Sequence, residues 1–217
     1  TCSAEMLLNS HELTRYDVAA SDGPLGVVED LLFDETDWVV RQLAVNTDGF
    51  LVHHRVMITT QDVAAIELPS ETLRLRLSRA EIKDKSDAAM ARQEGDGTRS
   101  GKPSTFALAT TLSSANAAFD YSLHAVDGRV GLVHGLLIDT ATWQIRYIVI
   151  DAGDWLEYKF TLLSPRVISG LNHADRQFLA NVTKQQVQDS PPYNADAELS
   201  RDWEAFLYDH YGWPKDW

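Results

Sequence analysis

Two stretches of this chain, 105 residues apart, carry the same pattern. The first is Trp38-Val39-Val40-Arg41-Gln42-Leu43-Ala44-Val45-Asn46, followed by Thr47-Asp48-Gly49-Phe50-Leu51. The second is Trp143-Gln144-Ile145-Arg146-Tyr147-Ile148-Val149-Ile150-Asp151, followed by Ala152-Gly153-Asp154-Trp155-Leu156. The match extends both ways without a gap. Tyr121 repeats Tyr16, Asp127-Gly128 repeats Asp22-Gly23, and Asp189 repeats Asp84. Between them, Gly131, Val133, Leu136, Leu137 and Asp139 repeat Gly26, Val28, Leu31, Leu32 and Asp34. Chance does not hold a register that long while matching the turns, so the fold is built from one unit used twice.

Each copy reads as short strands separated by turn signals every 8 to 12 residues or so, the pattern of a small antiparallel barrel or sandwich. In the first copy the strands cover Tyr16–Ala20, Leu25–Asp34, Trp38–Asn46, Phe50–Thr59 and Thr72–Leu77. Ser10 opens a short helical turn, Thr60–Ala64 is a helical or irregular connection, and Ser78-Arg79-Ala80-Glu81 has the form of a capping box. No helix of ordinary length separates the strands, which argues against a parallel α/β sheet. Ala88–Glu94 reads as a short helix, and Gly95–Ser104 is Gly/Ser-rich and polar, a linker. The expectation is a mainly β chain: a first barrel over 1–85, a linker over 86–108, and a second barrel over 109–217 with a short C-terminal helix. That helix starts at Ser200 and stops at Gly212, before Pro214. Its Trp203, Phe206, Leu207 and His210 follow i, i+3, i+4, i+7 spacing and predict an apolar stripe facing the body, with Trp213 closing the chain behind it.

Strand parity sorts the central strand. Arg146, Ile148 and Ile150, like Arg41, Leu43 and Val45, share one face and predict the barrel interior. Ile145, Tyr147 and Val149 form the other face, more apolar than Val40, Gln42 and Ala44. That face is expected to be covered by the other half or by the C-terminal helix, since an exposed apolar patch would otherwise be a contact surface. A buried Arg must be paired, so Arg41 and Arg146 are expected to meet an acid such as Asp34 or Asp139, or else to bind an anion.

Reactive constellations are sparse. His53 and His54 are adjacent on a strand and point to opposite faces, which does not suit one metal ion. Ser164 precedes Pro165 in a turn, and the single cysteine, Cys2, stands near the start. Asp151 and Asp154 flank a Gly turn and could do acid/base work, but an Asp there ordinarily satisfies turn amides, and Asn46 replaces Asp151 in the first copy. Arg74 and Arg76 lie on an alternating strand and read as a solvated basic stripe. No catalytic residue, cofactor site or metal site is expected. The net charge of −13 disfavours a direct grip on a phosphate backbone or an anionic membrane and suits a protein partner. One cysteine permits no internal disulfide, which agrees with a reducing cytoplasm. No apolar run reaches the roughly 18 residues of a membrane span, and no basic-then-apolar signal segment is visible.

The second copy resembles a PRC-barrel domain. The residues that carry the likeness are Asp127-Gly128, Gly131, Leu136, Leu137, Asp139, Trp143, Arg146, Asp151, Trp155, Ser164 and Pro165. The tail from Ser200-Arg201 to Leu207-Tyr208-Asp209-His210-Tyr211-Gly212-Trp213-Pro214 is similar to that of stand-alone bacterial members. The first copy departs from the pattern, with Asn46 for the Asp, Phe50 for the Trp and Thr59-Thr60 for Ser-Pro. The module occurs in the photosynthetic reaction centre H subunit and in a 16S rRNA-processing factor of ribosome maturation. The resemblance therefore implies tandem PRC-type barrels and roles around such assemblies, and it says little about chemistry, because the module is reused in unrelated settings. Two functions stay open. One is a non-enzymatic interaction module whose barrels pair as an internal pseudo-dimer, itself able to form homo-oligomers, with Ile145, Tyr147, Val149, Trp155, Trp203, Phe206, Leu207 and Trp213 as interface candidates. The other is a small-molecule- or anion-binding protein, or an enzyme, using a cleft between the barrels.

Overall fold

The computed structural model describes residues 6–47, 55–94, 112–153, 160–195 and 199–215. The first copy contributes β1 (Leu7–Asn9), α1 (Ser10–Leu13), β2 (Asp17–Ala20), β3 (Gly23–Asp34), β4 (Val39–Asn46), β5 (Arg55–Thr59), a 3-10 turn (Thr60–Asp62), β6 (Val63–Glu67), β7 (Thr72–Leu75) and α2 (Arg79–Glu94). The second contributes β8 (Leu112–Ser114), α3 (Ala115–Ala118), β9 (Ser122–Ala125), β10 (Gly128–Asp139), β11 (Ile145–Asp151), β12 (Phe160–Leu163), a 3-10 turn (Pro165–Val167), β13 (Ile168–Asn172), β14 (Gln177–Ala180) and α4 (Lys184–Gln188), with α5 (Arg201–Tyr211) added at the end. From β1 to the start of α2, each element recurs 105 residues later, save that β11 begins one residue late and β12 ends one residue early; the residue before β11, Gln144, forms a lone bridge to Val39.

The chain is mainly β, with two sheets of seven strands each. The first runs β5-β4-β3-β2-β7-β6 with β8 on β3; the second runs β12-β11-β10-β9-β14-β13 with β1 on β10, whose last two residues lie in the first compact unit. The sheets are mixed rather than purely antiparallel, since β2 pairs with β7, and β9 with β14, in parallel. Four strands intervene between β2 and β7, so the return path is long enough for a parallel pair. Among the described residues no ladder joins β5 to β6, or β12 to β13, although a three-residue 3-10 turn links each pair in sequence.

Backbone detail repeats along with the elements. Trp38 and Trp143 both take positive φ, 58° and 62°, and each donates its N–H to the Asp four residues earlier, Asp34 or Asp139. Gly26 and Gly131 sit where β3 and β10 press against the ends of β4 and β11. A Cβ on Gly26 would collide with the Asn46 carbonyl, and one on Gly131 with the Asp151 carbonyl. Asp22 and Asp127, in the two Asp-Gly turns, each accept an N–H from the first residue of the helix 57 residues on, Arg79 or Lys184.

Two compact units emerge, and they are not the two repeats. The first holds residues Thr1–Asn116 and Ile138–Gln144; the second holds Ala117–Leu137 and Ile145–Trp217. The second repeat therefore lends the first unit β8, the start of α3 and the β10–β11 turn. In that unit Leu32, Phe33 and Asp34 of β3 pair with Ser114, Ser113 and Leu112 of β8. Val40 donates to the Trp143 carbonyl, and the Gln144 amide reaches the carbonyls of Asp37 and Trp38. The core of this unit includes Leu31, Phe33, Leu43, Leu73 and Ile82. The core of the second includes Leu123, Leu136, Ile148, Phe178 and Val187.

Three local expectations are revised. β6 is a strand that begins in a stretch that reads as a helical or irregular connection, and β1 is a strand where no element is expected. α2 is one helix from Arg79 to Glu94, passing through position 86, because no Gly or Pro interrupts it before Gly95. Its start is the capping box, with Ser78 N–H donating to Glu81 and Glu81 N–H to the Ser78 hydroxyl. The linker stretch Gly95–Ser104 lies outside the described residues.

Candidate functional site

β11 is buried on both faces. Ile148 and Ile150 are 0% exposed on one, and Ile145, Tyr147 and Val149 are at most 1% exposed on the other. Within the second unit, α5 lies over this strand. Its Ser200 cap accepts the Trp203 N–H, and Gly212 ends it at φ 68°. Glu204, only 5% exposed, is the centre of the contact. The Tyr147 hydroxyl donates to Glu204 Oε1 at 2.7 Å, Arg146 Nη2 lies 3.6 Å from the same oxygen, and Arg201 Nη1 lies 3.5 Å from Oε2.

The electrostatics follow from burial. The Tyr147 phenol is pushed far above its ordinary value, first by burial and then by the Glu204 carboxylate it bonds to. It is held neutral, as a hydrogen-bond donor and not as a base. Glu204 accepts from Tyr147 and lies beside two guanidinium groups, so a carboxylate buried at this position has both a donor and cationic partners. The arrangement fixes the angle and register of α5 on β11.

The buried stripe of α5 is one residue removed from the predicted one. Glu204, Leu207 and Tyr208 are buried, whereas Phe206 is 63% exposed. The apolar residues Trp203 and Phe206 suggested the stripe, but the paired Glu204 takes the inward position. Trp203 is half-buried. Trp213 stacks on Tyr211 with ring centres 4.5 Å apart and meets Tyr208 edge-on. Burial raises the Tyr211 phenol to about 12. His210 Nε2 lies 2.7 Å from the Gln186 carbonyl, tying α5 to α4.

The other predicted site residues serve turns and surfaces. Arg41 is exposed and pairs with Asp37, so it is not an interior residue; Leu43 and Val45, the other residues of its predicted face, are buried. Asp34 accepts the Thr36 N–H, and Asp139 accepts those of Ala141 and Thr142. Asp151 accepts the Gly153 N–H at 2.8 Å. Ser164 is buried and accepts the Arg166 N–H. Trp155, Asp154, His53, His54 and Cys2 lie outside the described residues. Among the described residues no group of three or more His, Cys, Asp or Glu is placed to hold a metal ion, and no helix is long and apolar enough to cross a membrane.

The first unit carries an open groove of about 700 Å³ along β2 and β3, with Arg74 and Arg79 on its wall. Both cations face acids: Arg74 pairs with Glu67, and Arg79 Nε lies 3.7 Å from Asp22. Sequence reasoning missed Glu204. Its signal was present, an acid three and four residues before Leu207 and Tyr208, but an acid on a helix is ordinarily assigned to the solvent side. Compared with known protein families and curated proteins, the chain matches no family model and no curated protein.

Proposed function

We propose that this chain is a non-enzymatic protein-interaction module built from two PRC-type barrels that pair as an internal pseudo-dimer. Each seven-stranded sheet supplies the strands of one barrel. The observation that carries the interaction reading is Phe206, a large aromatic side chain 63% exposed on a helix otherwise anchored by buried groups. A solvent-facing aromatic on a rigid helix is the kind of residue that anchors a partner. Exposed Asp202 and Asp209 flank it, and the chain carries a net −13, so the partner is a protein with a basic rim around an apolar pocket. The likeness to the PRC module supports a partner in a bacterial cytoplasmic assembly, related to photosynthetic reaction centres or ribosome maturation. Direct nucleic-acid binding and membrane insertion are not part of this reading.

The test is affinity capture from the native cell with wild type and Phe206→Asp side by side, followed by identification of the bound proteins. A basic protein retained by wild type and lost by the variant is the expected result. No reproducible partner for wild type overturns the reading. The rival, a small-molecule or anion binder or an enzyme, draws its support from Arg74 and Arg79 in the groove of the first unit. Their carboxylate neighbours compete with any anion, which leaves the interaction reading ahead.

A further inference from the structure

The first unit is completed by an arm from the second repeat, β8 with the start of α3, and one buried carboxylate receives it. Asp30 of β3 is 5% exposed. It accepts the N–H of Leu31 at 2.8 Å, the hydroxyl of Ser114 at 2.6 Å and the N–H of Asn116 at 3.1 Å, with Arg55 Nη2 at 3.6 Å. The Asn116 amide also donates to the Glu29 carbonyl at 2.7 Å. The Asn116 N–H is the first-turn donor of α3, the group a helix cap normally satisfies. In this arm the cap comes from Asp30, 86 residues away.

The equivalent arm of the first repeat, β1 with α1, is capped differently. Asn9 stands where Ser114 does, and its own side chain accepts the His11 N–H at 3.0 Å. The counterpart of Asp30 is Gly135, which has no side chain to offer. One arm brings its cap with it, and the other needs a carboxylate on the strand it joins. The β1–α1 arm laid on β3 would present a first-turn N–H already capped by Asn9, so Asp30 would lose the donor that Asn116 supplies. A buried acceptor without donors is costly.

We propose that Asp30 is the address of this strand-acceptor seat. It selects the β8–α3 arm of the second repeat against the β1–α1 arm, and so prevents the first repeat from pairing with the first repeat of a second copy. Duplicated units start with identical seats and arms, so a chain of this kind needs such a mark to pair its own halves.

The test uses the full chain labelled at its sole cysteine, Cys2, with donor or acceptor dye in two pools, read by light scattering and by energy transfer after mixing. Wild type is expected to be mainly monomeric, with only a small mixed-dimer fraction in the transfer signal. Asp30→Gly removes the cap, and Tm falls by about 3 °C. Asp30→Gly combined with Ser114→Asn restores a cap within the arm, so Tm recovers, but the address stays erased and mixed dimers rise roughly tenfold over wild type. A double variant that recovers Tm and stays monomeric makes Asp30 a helix cap and nothing more, and overturns the proposal. So does an Asp30→Gly chain with unchanged Tm, or wild type that exchanges as fast as the double variant.

Discussion

Gly26 and Gly131 show how little room the fold leaves at single positions. Each faces a backbone carbonyl that cannot swing away as a side-chain tip can. Gly26→Ala and Gly131→Ala are each expected to cost about 3 kcal/mol, read as a lower urea midpoint with an unchanged slope. Tyr147 and Tyr211 bring a pH dependence. Both phenols have folded-state values above the ordinary one near 10, so below that pH folded and unfolded chains are equally protonated and the stabilisation is complete. Above about pH 10 the unfolded chain releases protons that the folded chain retains, and stability falls as pH rises toward and past 12. Unfolding followed from pH 8 to 12 should show this decline, and Tyr211→Phe should make it shallower. A wild-type curve that stays flat across that range contradicts the burial of these phenols. Tyr147→Phe additionally withdraws a donor from buried Glu204 and is expected to cost about 1 to 3 kcal/mol at neutral pH.

Elements differ in how far their sequence announces them. β3, β4, β10 and β11 are long, apolar and bounded by Asp-Gly or Gly turns, and they are legible from sequence alone. β1 and β8 are three-residue strands, and β6 is a five-residue one, too short for a period to register; their ladders are set by partners distant in sequence, Leu32–Asp34 for β8. The helix at the C-terminus is legible by its caps, Ser200 and Gly212, but its buried side is not, because Glu204 reads as solvent-facing until Tyr147 and Arg146 are seen to meet it. The candidate site was thus half legible: Ile145, Tyr147, Val149 and Leu207 could be named from pattern, and the acid that joins them could not. Substitution separates the two sides of this helix. Leu207→Ala, at 0% exposure, is expected to cost about 2 to 5 kcal/mol. Phe206→Asp should leave stability within about 0.5 kcal/mol of wild type. Chemical denaturation of both variants checks the assignment of faces, and a large loss for Phe206→Asp contradicts it.

At the scale of the whole molecule, the repeat boundary and the unit boundary do not coincide. The chain passes from the first unit to the second at Asn116, returns at Ile138 and leaves again after Gln144. β10 belongs to both units along its length. The first unit thus holds the last two residues of a strand whose other ten belong to the second. A single cooperative thermal transition is expected, with calorimetric and van't Hoff enthalpies equal; two resolved transitions contradict it.

The same threading separates covalent connectivity from structural membership. If the peptide bond between Lys102 and Pro103 were absent and the two pieces made as separate chains, the later piece would still carry β8 and the Ile138–Gln144 segment that finish the earlier piece's unit. The pieces would then behave as two subunits that find each other without a tether. A gene break in that stretch would leave two chains that build the same fold, and the protein's one-chain form is a matter of how it is encoded more than of how it is held together.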